Sequence, residues 1–508
     1  MIDKSLFIAR TLRHRVFAMD FRSSLVGLIC LSLYLGVSTV RVPAQTETPP
    51  APSAPKAVRI PAVQEKKLAN GLTVAVIERS SVPLVTVQLL VKAGASAENS
   101  AKAGLADITA DMLTKGTKTR SATQIAEDIE FLGGSINNGA GWNSSFVSVT
   151  VTPDKLDRAI AILADVVLNP AFKQEELDLL KSQTLDELKY NLKQPSFLAN
   201  YVASKYTFGE HPAGGTPESI QSITAADVSA FHTRYYRSDK AVLVFTGDIS
   251  LEGAVAAAEK AFASIKKSES TTESATGTIA SPPNGSSGPL ARRILVVDLP
   301  NSGQAAVSYY DRLGAVSRKS AAFYPGTVAN TVLGGGYSAR LNYEIRIKRG
   351  LSYGAGSTIG WRWNAANFST RAQTKNVSAP EVAELTLAEV KRLTDSSVPN
   401  NELVPRKSTL TGNFGNSLET TNGLAAAIGD LYGFGIPTSE LNSYVSNVNA
   451  VTDAQIRDFA SKNLRDGDLI IVGDYTVFRD DLARRFPNMK IDVINADNID
   501  LSKDNLRK

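Results

Sequence analysis

Cysteine and histidine are nearly missing from this chain of 508 residues: it has Cys30 alone, and His14, His211 and His232. One thiol cannot build a Cys-rich structural zinc site or a disulfide framework. Three histidines, none at ligand spacing from another, leave no histidine-rich metal site in the sequence. A dominant charge is missing too. Fifty-five basic residues face 50 acidic ones, and residues 1–44 hold six cations (Lys4 and arginines 10, 13, 15, 22 and 41) against Asp3 and Asp20. That segment therefore carries +4 of the formal +5, leaving +1 for the rest. The basic isoelectric point therefore says little about nucleic acid, and no nucleic-acid partner is expected. What is present is a 43% hydrophobic, 21% charged composition, ordinary for a globular protein of two or three domains.

The arginine-rich front precedes an apolar run, Leu25–Val37, and then Val42-Pro43-Ala44. About 13 apolar residues are too few for a membrane span and suit a secretory h-region; Ala44 offers the cleavage site. We expect a signal peptide over 1–44 and export, periplasmic in a bacterium. An uncleaved N-terminal anchor is the alternative, and Met19 is a second candidate start. Gly27-Leu28-Ile29 lacks the small residue that precedes a lipoprotein cysteine, which argues against lipidation of Cys30.

Residues 45–62 are Pro- and Ala-rich and read as an extended tether. Residues 268–289 are Ser-, Thr-, Gly- and Pro-rich without periodicity and read as a linker. They separate expected domains over 63–267 and 290–490, followed by a tail over 491–508. The two halves resemble each other. Ile223-Thr224-Ala225-Ala226-Asp227 opens a helix that leads to the apolar run Ala241–Asp248; Val451-Thr452-Asp453-Ala454-Gln455 opens another that leads to Asp468–Asp474. The offsets, 228 and 226 residues, indicate a duplicated domain and not a solenoid. In the first half, Leu72–Arg79 and Pro83–Lys92 read as a hairpin-like strand pair, and Phe146–Val151 as a further strand. Gly104–Leu113, Thr123–Leu132, Lys155–Leu168 and Gln174–Leu192 read as helices. Strand pairs beside helix runs, without regular alternation, predict an α+β layer fold.

The stretch Gly104–Thr117, GLADITADMLTKGT, resembles the signature of the pitrilysin/insulinase family of zinc peptidases, roughly G-L-A-H-x-x-E-H-M-L-x-K-G-T. The framework letters match and the chemical letters do not. The positions of the two ligand histidines hold Asp107 and Asp111, and that of the general-base glutamate holds Ala110. Residues at i and i+4 share a helix face, so the two aspartates keep the spacing of a metal pair with hard oxygen donors. Ala110 can accept no proton. The third ligand position of the family, a glutamate on a later helix, falls on Glu187, 76 residues after Asp111. A second acidic position there falls on Leu180. The carboxylate cluster reads either as a relic pocket without metal or as a weak Ca²⁺, Mg²⁺ or Mn²⁺ site.

Other segments extend the resemblance. Gly133-Gly134-Ser135-Ile136-Asn137 resembles the family's edge-strand turn, which makes Asn137 a candidate substrate contact. Phe208–Pro212 resembles a family loop, giving His211 a structural place; His232 reads as a packing histidine near a helix end. Leu333–Gly354, LGGGYSARLNYEIRIKRGLSYG, resembles the family's C-terminal segment, whose Arg and Tyr seven apart fall on Arg346 and Tyr353. By residue chemistry alone these are a solvated helix charge and a half-buried strand aromatic. The resemblance implies that they hold peptide and stabilise a tetrahedral transition state.

The resemblance implies a duplicated fold of the mitochondrial processing peptidase-like metallohydrolase type. It also implies a metalloendopeptidase relative inactive alone, with no cofactor of its own. Paired with a zinc-bearing homologue, it would contribute Arg346 and Tyr353 to the hydrolysis of peptides or unfolded polypeptides. A scaffold subunit without catalytic contribution, or an atypical self-sufficient peptidase, are the alternatives.

Overall fold

The computed structural model describes residues 60–268, 291–313, 316–503 and 505–508. The expected signal segment (1–44), tether (45–62) and linker (268–289) lie outside the described residues, except for 60–62 and 268.

Strands β1 (Gln64–Lys67), β2 (Thr73–Glu78), β3 (Val85–Val91), β4 (Ser135–Ala140), β5 (Ser145–Val151) and β6 (Ala241–Gly247) form one sheet in the order β1-β2-β6-β3-β5-β4. Strands β7 (Ala291–Asp298), β8 (Ala305–Leu313), β9 (Ser352–Trp361), β10 (Ala366–Thr374), β11 (Gly467–Gly473) and β12 (Ile491–Asn495) form a second, β12-β7-β11-β8-β10-β9. The two orders superpose from the second strand onward, so the fold is a duplicated α+β layer. The edge strand differs: β1 runs antiparallel to β2, whereas β12 runs parallel to β7.

The helices repeat in the same way. The first half has α1 (Leu105–Met112), α2 (Ala122–Phe131), α3 (Leu156–Leu168), α4 (Gln174–Asn191), α5 (Pro195–Tyr206), α6 (Pro217–Ser222), α7 (Ala225–Tyr235) and α8 (Leu251–Ala261). The second has α9 (Phe323–Leu333), α10 (Arg340–Asn342), α11 (Ala379–Asp395), α12 (Asn400–Ser417), α13 (Thr421–Phe434), α14 (Glu440–Ala450), α15 (Asp453–Asn463) and α16 (Tyr475–Arg485). A wide π-helical turn, Tyr343–Ile347, follows α10. Thr224 and Thr452 close reciprocal capping boxes at the starts of α7 and α15, each worth about 1 kcal/mol.

Strands β3, β6 and β11 are buried at every position and mostly apolar, with Thr86, Gln88, Thr246 and Asp468 as buried polar exceptions. Such strands need cover on both faces. One face of the first sheet packs on helices of its own half. The other (Ala75, Ile77, Leu90, Val242, Val244) receives Leu424, Ala425, Ile428 and Leu431 of α13, from the second half. Reciprocally, Leu198, Ala199 and Val202 of α5 join a core with Leu295, Tyr310, Ile470 and Val472 of the second sheet. Each half thus lends a helix to the other, and the two share their cores.

Two expectations are corrected. The segments Leu72–Arg79 and Pro83–Lys92 are strands but not a hairpin: β6 lies between them, parallel to β2 and antiparallel to β3. Residues 491–508 are not a free tail. Ile491–Asn495 is an edge strand, and the end folds back on it: Arg507 donates to Asp492 Oδ1 (2.8 Å) and Val493 O (2.9 Å), while Leu506 is buried. At the other end, Ile60 is buried and its backbone pairs with the Asn442 side chain of α14.

Candidate functional site

Helix α1 buries Leu105, Ala106, Ile108, Ala110 and Met112 and turns Asp107 and Asp111 toward a half-buried recess. Its neighbours are α7, β4 and α4. Its N-terminus is closed by Glu98, whose fully buried carboxylate accepts from Gly104 N (2.8 Å) and Ala106 N (2.7 Å). An anion there satisfies orphan amides and the positive end of the helix dipole. His211 Nε2 lies 3.1 Å from Glu98 Oε1 and 3.1 Å from Ala95 O, with its ring tilted against Trp142. His211 thus has the structural place expected of it. His232 does as well: it stacks on Tyr236, Nε2 donates to Val167 O at 2.7 Å, and burial pushes its pKa down to about 4.

Asp107 is raised to about 6, first by burial, then by the charge of Asp111; the Ala140 amide opposes this, and Glu98 and Glu187 add smaller repulsions. Asp111 is also raised by burial, opposed by Lys115 and by a 2.8 Å hydrogen bond from Asn138 Nδ2. Glu187 sits on α4 and is exposed. Leu180, seven residues earlier on α4, is buried. Ala110 has no exposed surface, so the general-base position is a methyl group inside the core.

This donor set does not fit zinc. Two carboxylates one turn apart, one of them hydrogen-bonded to an amide, meet an exposed glutamate, and both described histidines are engaged elsewhere. Among the described residues no group of three His, Cys, Asp or Glu is arranged to hold a metal ion.

In the second half, Gly334 lets the loop after α9 lie on β9. A Cβ there would stand 2.1 Å from Ser357 N. Asn342 fastens the loop, donating to Tyr337 O (2.5 Å) and accepting from Ala355 N (3.1 Å). Buried Arg340 anchors the same turn through a bidentate pair with Glu402 at 2.8 and 2.9 Å. The result projects Tyr337 and Tyr353, 66% and 90% exposed, on either side of Arg346. The guanidinium lies 5.0 Å from one ring centroid and 4.8 Å from the other. Tyr353 is not the half-buried strand aromatic that residue chemistry alone suggests, because β9 is the sheet edge. Among the described residues no carboxylate pairs with Arg346, which is half-buried between the two rings.

Asn137 is exposed on edge strand β4; its neighbour Asn138 reaches α1. The period-2 alternation of a strand puts successive residues on opposite faces, and parity alone did not tell which one faced the helix. Glu98 was missed because it caps α1 from six residues upstream of Gly104, outside any capping-box spacing. Tyr337 was missed as one letter inside a glycine-rich motif. No hydrogen bond or ion pair joins the Asp107–Asp111 group to the Arg346–Tyr353 group among the described residues.

Fold and site together define a duplicated α+β protein of the metallopeptidase type whose motif helix carries aspartates. Two models of one family match it: insulinase (peptidase family M16) over residues 73–214, and the peptidase M16 inactive domain over 222–410. The chain belongs to peptidase family M16. An uncharacterized zinc protease of Rickettsia bellii is 27% identical over 397 residues, 76% of this chain and 91% of that protein. One of Bacillus subtilis is 25% identical over 360 residues, 70% and 84% of the two chains. The crystal structure of a peptidase M16 inactive domain from Pseudomonas fluorescens superposes with a TM-score of 0.73 at 25% identity, over 81% of this chain and 98% of that one. A Helicobacter pylori protease shares the fold at TM-score 0.74 and 19% identity, over 81% of this chain and all of the other.

Proposed function

We propose that this chain is the non-catalytic member of a two-chain zinc peptidase. It would pair with a zinc-bearing homologue and present Arg346 and Tyr353 to the peptide in the partner's active site. The observation that carries the reading is Ala110: at the position of the family's general base stands a fully buried methyl group, between two aspartates that replace imidazoles. With Asp107 and Asp111 at the ligand positions, α1 has no further acidic or basic side chain to take a proton from a metal-bound water. Arg346 supports the second part, since among the described residues no carboxylate pairs with it and two exposed tyrosines frame it. A planar guanidinium fits a peptide carbonyl or carboxylate, and a tyrosine hydroxyl can donate to a developing oxyanion.

The test is reconstitution. Alone, the chain should not hydrolyse an unfolded polypeptide, with or without added Zn²⁺. Mixed with an H-x-x-E-H homologue from the same genome, it should raise that protein's turnover. Arg346→Ala or Tyr353→Phe should then lower kcat of the complex about 10²-fold. Chelator-sensitive hydrolysis by the isolated chain would refute the proposal. Full activity of the complex with both variants would reduce the chain to a scaffold. Export belongs to the same proposal, and rests on the arginine-rich front and apolar run of residues 1–44. A mature protein beginning at Gln45 is the expected mass-spectrometric result.

A further inference from the structure

The roles proposed for Arg346 and Tyr353 leave their neighbour Tyr337 without one. The resemblance of Leu333–Gly354 to the family segment points to Arg346 and Tyr353 and not to Tyr337. Yet Tyr337 is exposed, and its ring centroid lies 5.0 Å from the Arg346 guanidinium, against 4.8 Å for Tyr353.

The backbone beneath this exposed ring is held by buried groups. Asn342 donates to Tyr337 O at 2.5 Å. Arg406 of α12 donates to Ser338 Oγ at 2.8 Å and also to Ser338 O. Ala339 is fully buried, and buried Arg340 is paired with Glu402. These contacts fix where residue 337 stands. They do not require that a tyrosine stand there, because none of them involves its side chain. An aromatic ring in water on a fixed backbone is a platform with two rotatable bonds.

Arg346 is the group that such a platform serves. Its side chain is long, and holding it in one rotamer costs entropy. It projects from the π-helical turn Tyr343–Ile347, a wide turn of a kind frequent at functional sites. The single carboxylate of Leu333–Gly354, Glu344, is engaged by Lys348 at 3.2 Å and by Arg349. Restraint of Arg346 therefore falls to the two rings. A carboxylate partner would restrain it as well, but would occupy its N–H donors. A ring face attracts the cation and leaves those donors for a peptide carbonyl. We propose that Tyr337 is a positioning residue: with Tyr353, its ring holds the Arg346 guanidinium in place for the peptide in the partner's active site. The use in catalysis rests on the two-chain reading; the restraint itself rests on this chain alone.

Two measurements test it, one of them without a partner. In the isolated chain, the Arg346 Nε–H nuclear magnetic resonance signal, assigned by its loss in Arg346→Ala, should shift in Tyr337→Ala and return in Tyr337→Phe. In the reconstituted complex, with an internally quenched peptide, Tyr337→Ala should lower kcat/KM about three- to tenfold at an unchanged melting temperature. Tyr337→Phe should restore it to within about twofold, since the ring and not the hydroxyl acts. In the Arg346→Ala background, Tyr337→Ala should have no further effect, because its whole action passes through the guanidinium. An Arg346 signal indifferent to Tyr337→Ala would overturn the proposal, as would effects of the two alanine variants that multiply. A Tyr337→Phe variant as impaired as Tyr337→Ala would overturn it too, by showing that the hydroxyl acts directly. Failure of the wild-type chain to activate its partner would instead overturn the two-chain reading and the catalytic use of Tyr337 with it, while the Arg346 signal decides the restraint independently.

Discussion

Helices α1 and α9 occupy the same place in the two halves and differ in what they carry. Helix α1 packs on α7, α4 and β4; α9 packs on the equivalent α15, α12 and β9. Helix α9 has no acidic or basic side chain and buries Phe323, Val328, Ala329, Val332 and Leu333. Helix α1 keeps two half-buried aspartates, one of them raised to about 6. The second half therefore shows that the fold closes without charge at this point. The aspartates of the first half are not a requirement of packing, and their repulsion is a cost the duplicated architecture can avoid.

The largest expected effect tests where the repeat is strictest. Gly247 and Gly473 end the equivalent strands β6 and β11. Gly247 has φ +122°, and a Cβ there would stand 2.0 Å from Leu84 O, a backbone atom that cannot swing away. Gly247→Ala should cost about 3–5 kcal/mol in denaturant unfolding. Gly473→Ala meets side chains, Asn376 Oδ1 at 2.5 Å and Ala305 Cβ at 2.8 Å, and should cost about 1–3 kcal/mol. Equal costs would mean that the two strand ends are held alike.

Next comes a position where the halves diverge. Val242 of β6 corresponds to Asp468 of β11, which is fully buried and takes two bonds from Arg293 (3.0 and 2.7 Å) and one from Thr207 (2.9 Å). Arg293→Ala should cost about 2–4 kcal/mol by stranding a buried charge, whereas Arg293→Met with Asp468→Val should stay within about 1 kcal/mol of the parent. A large loss in the double variant would show that the pair does more than replace an apolar contact.

The remaining two predictions use buried titrating groups of the first half, with opposite signs. His232 is depressed to about 4, so between its unfolded value near 6.5 and pH 4 the unfolded state binds the extra proton. Stability should fall by about 2–3 kcal/mol as pH drops through that window, and His232→Phe should flatten this slope in chemical-denaturation curves. Asp107 is raised from its ordinary value of 3.8 to about 6, so there the folded state binds the extra proton and stability is lost as pH rises from 4 to 6. Asp107→Asn should therefore stabilise by about 1–2 kcal/mol at pH 7 and by nothing below pH 4. No gain at pH 7 would mean that the carboxylate is better solvated than its recess suggests.

Much of this was legible from local rules. The motif helix expected over Gly104–Leu113 runs from Leu105 to Met112, and the helix–strand units after Thr224 and Thr452 recur with the same caps. Helical period, capping residues and apolar runs act over a few residues, so they survive without tertiary information. What failed depends on distant partners. Nothing in Leu72–Lys92 announces that a strand some 150 residues later will separate β2 from β3. Only the parallel pairing of Ile491–Asn495 with β7, on which the fold-back of Arg507 closes, makes residues 491–508 part of the second sheet. Glu98 and Asn138 acquired roles at α1 because a loop and an edge strand were folded against it.

The sequence by itself determined the framework of family M16, the duplication, and the substitution of Asp107, Ala110 and Asp111 at the chemical positions. These are matters of residue identity and spacing. Only the tertiary structure decided that Ala110 is sealed in the core and that Arg346 stands between two exposed tyrosines. It alone decided, too, that Lys92 and Lys240, 148 positions apart in the chain, stand side by side at the ends of β3 and β6. Burial and the meeting of like charges are properties of the packed sheets, and no local pattern carries them.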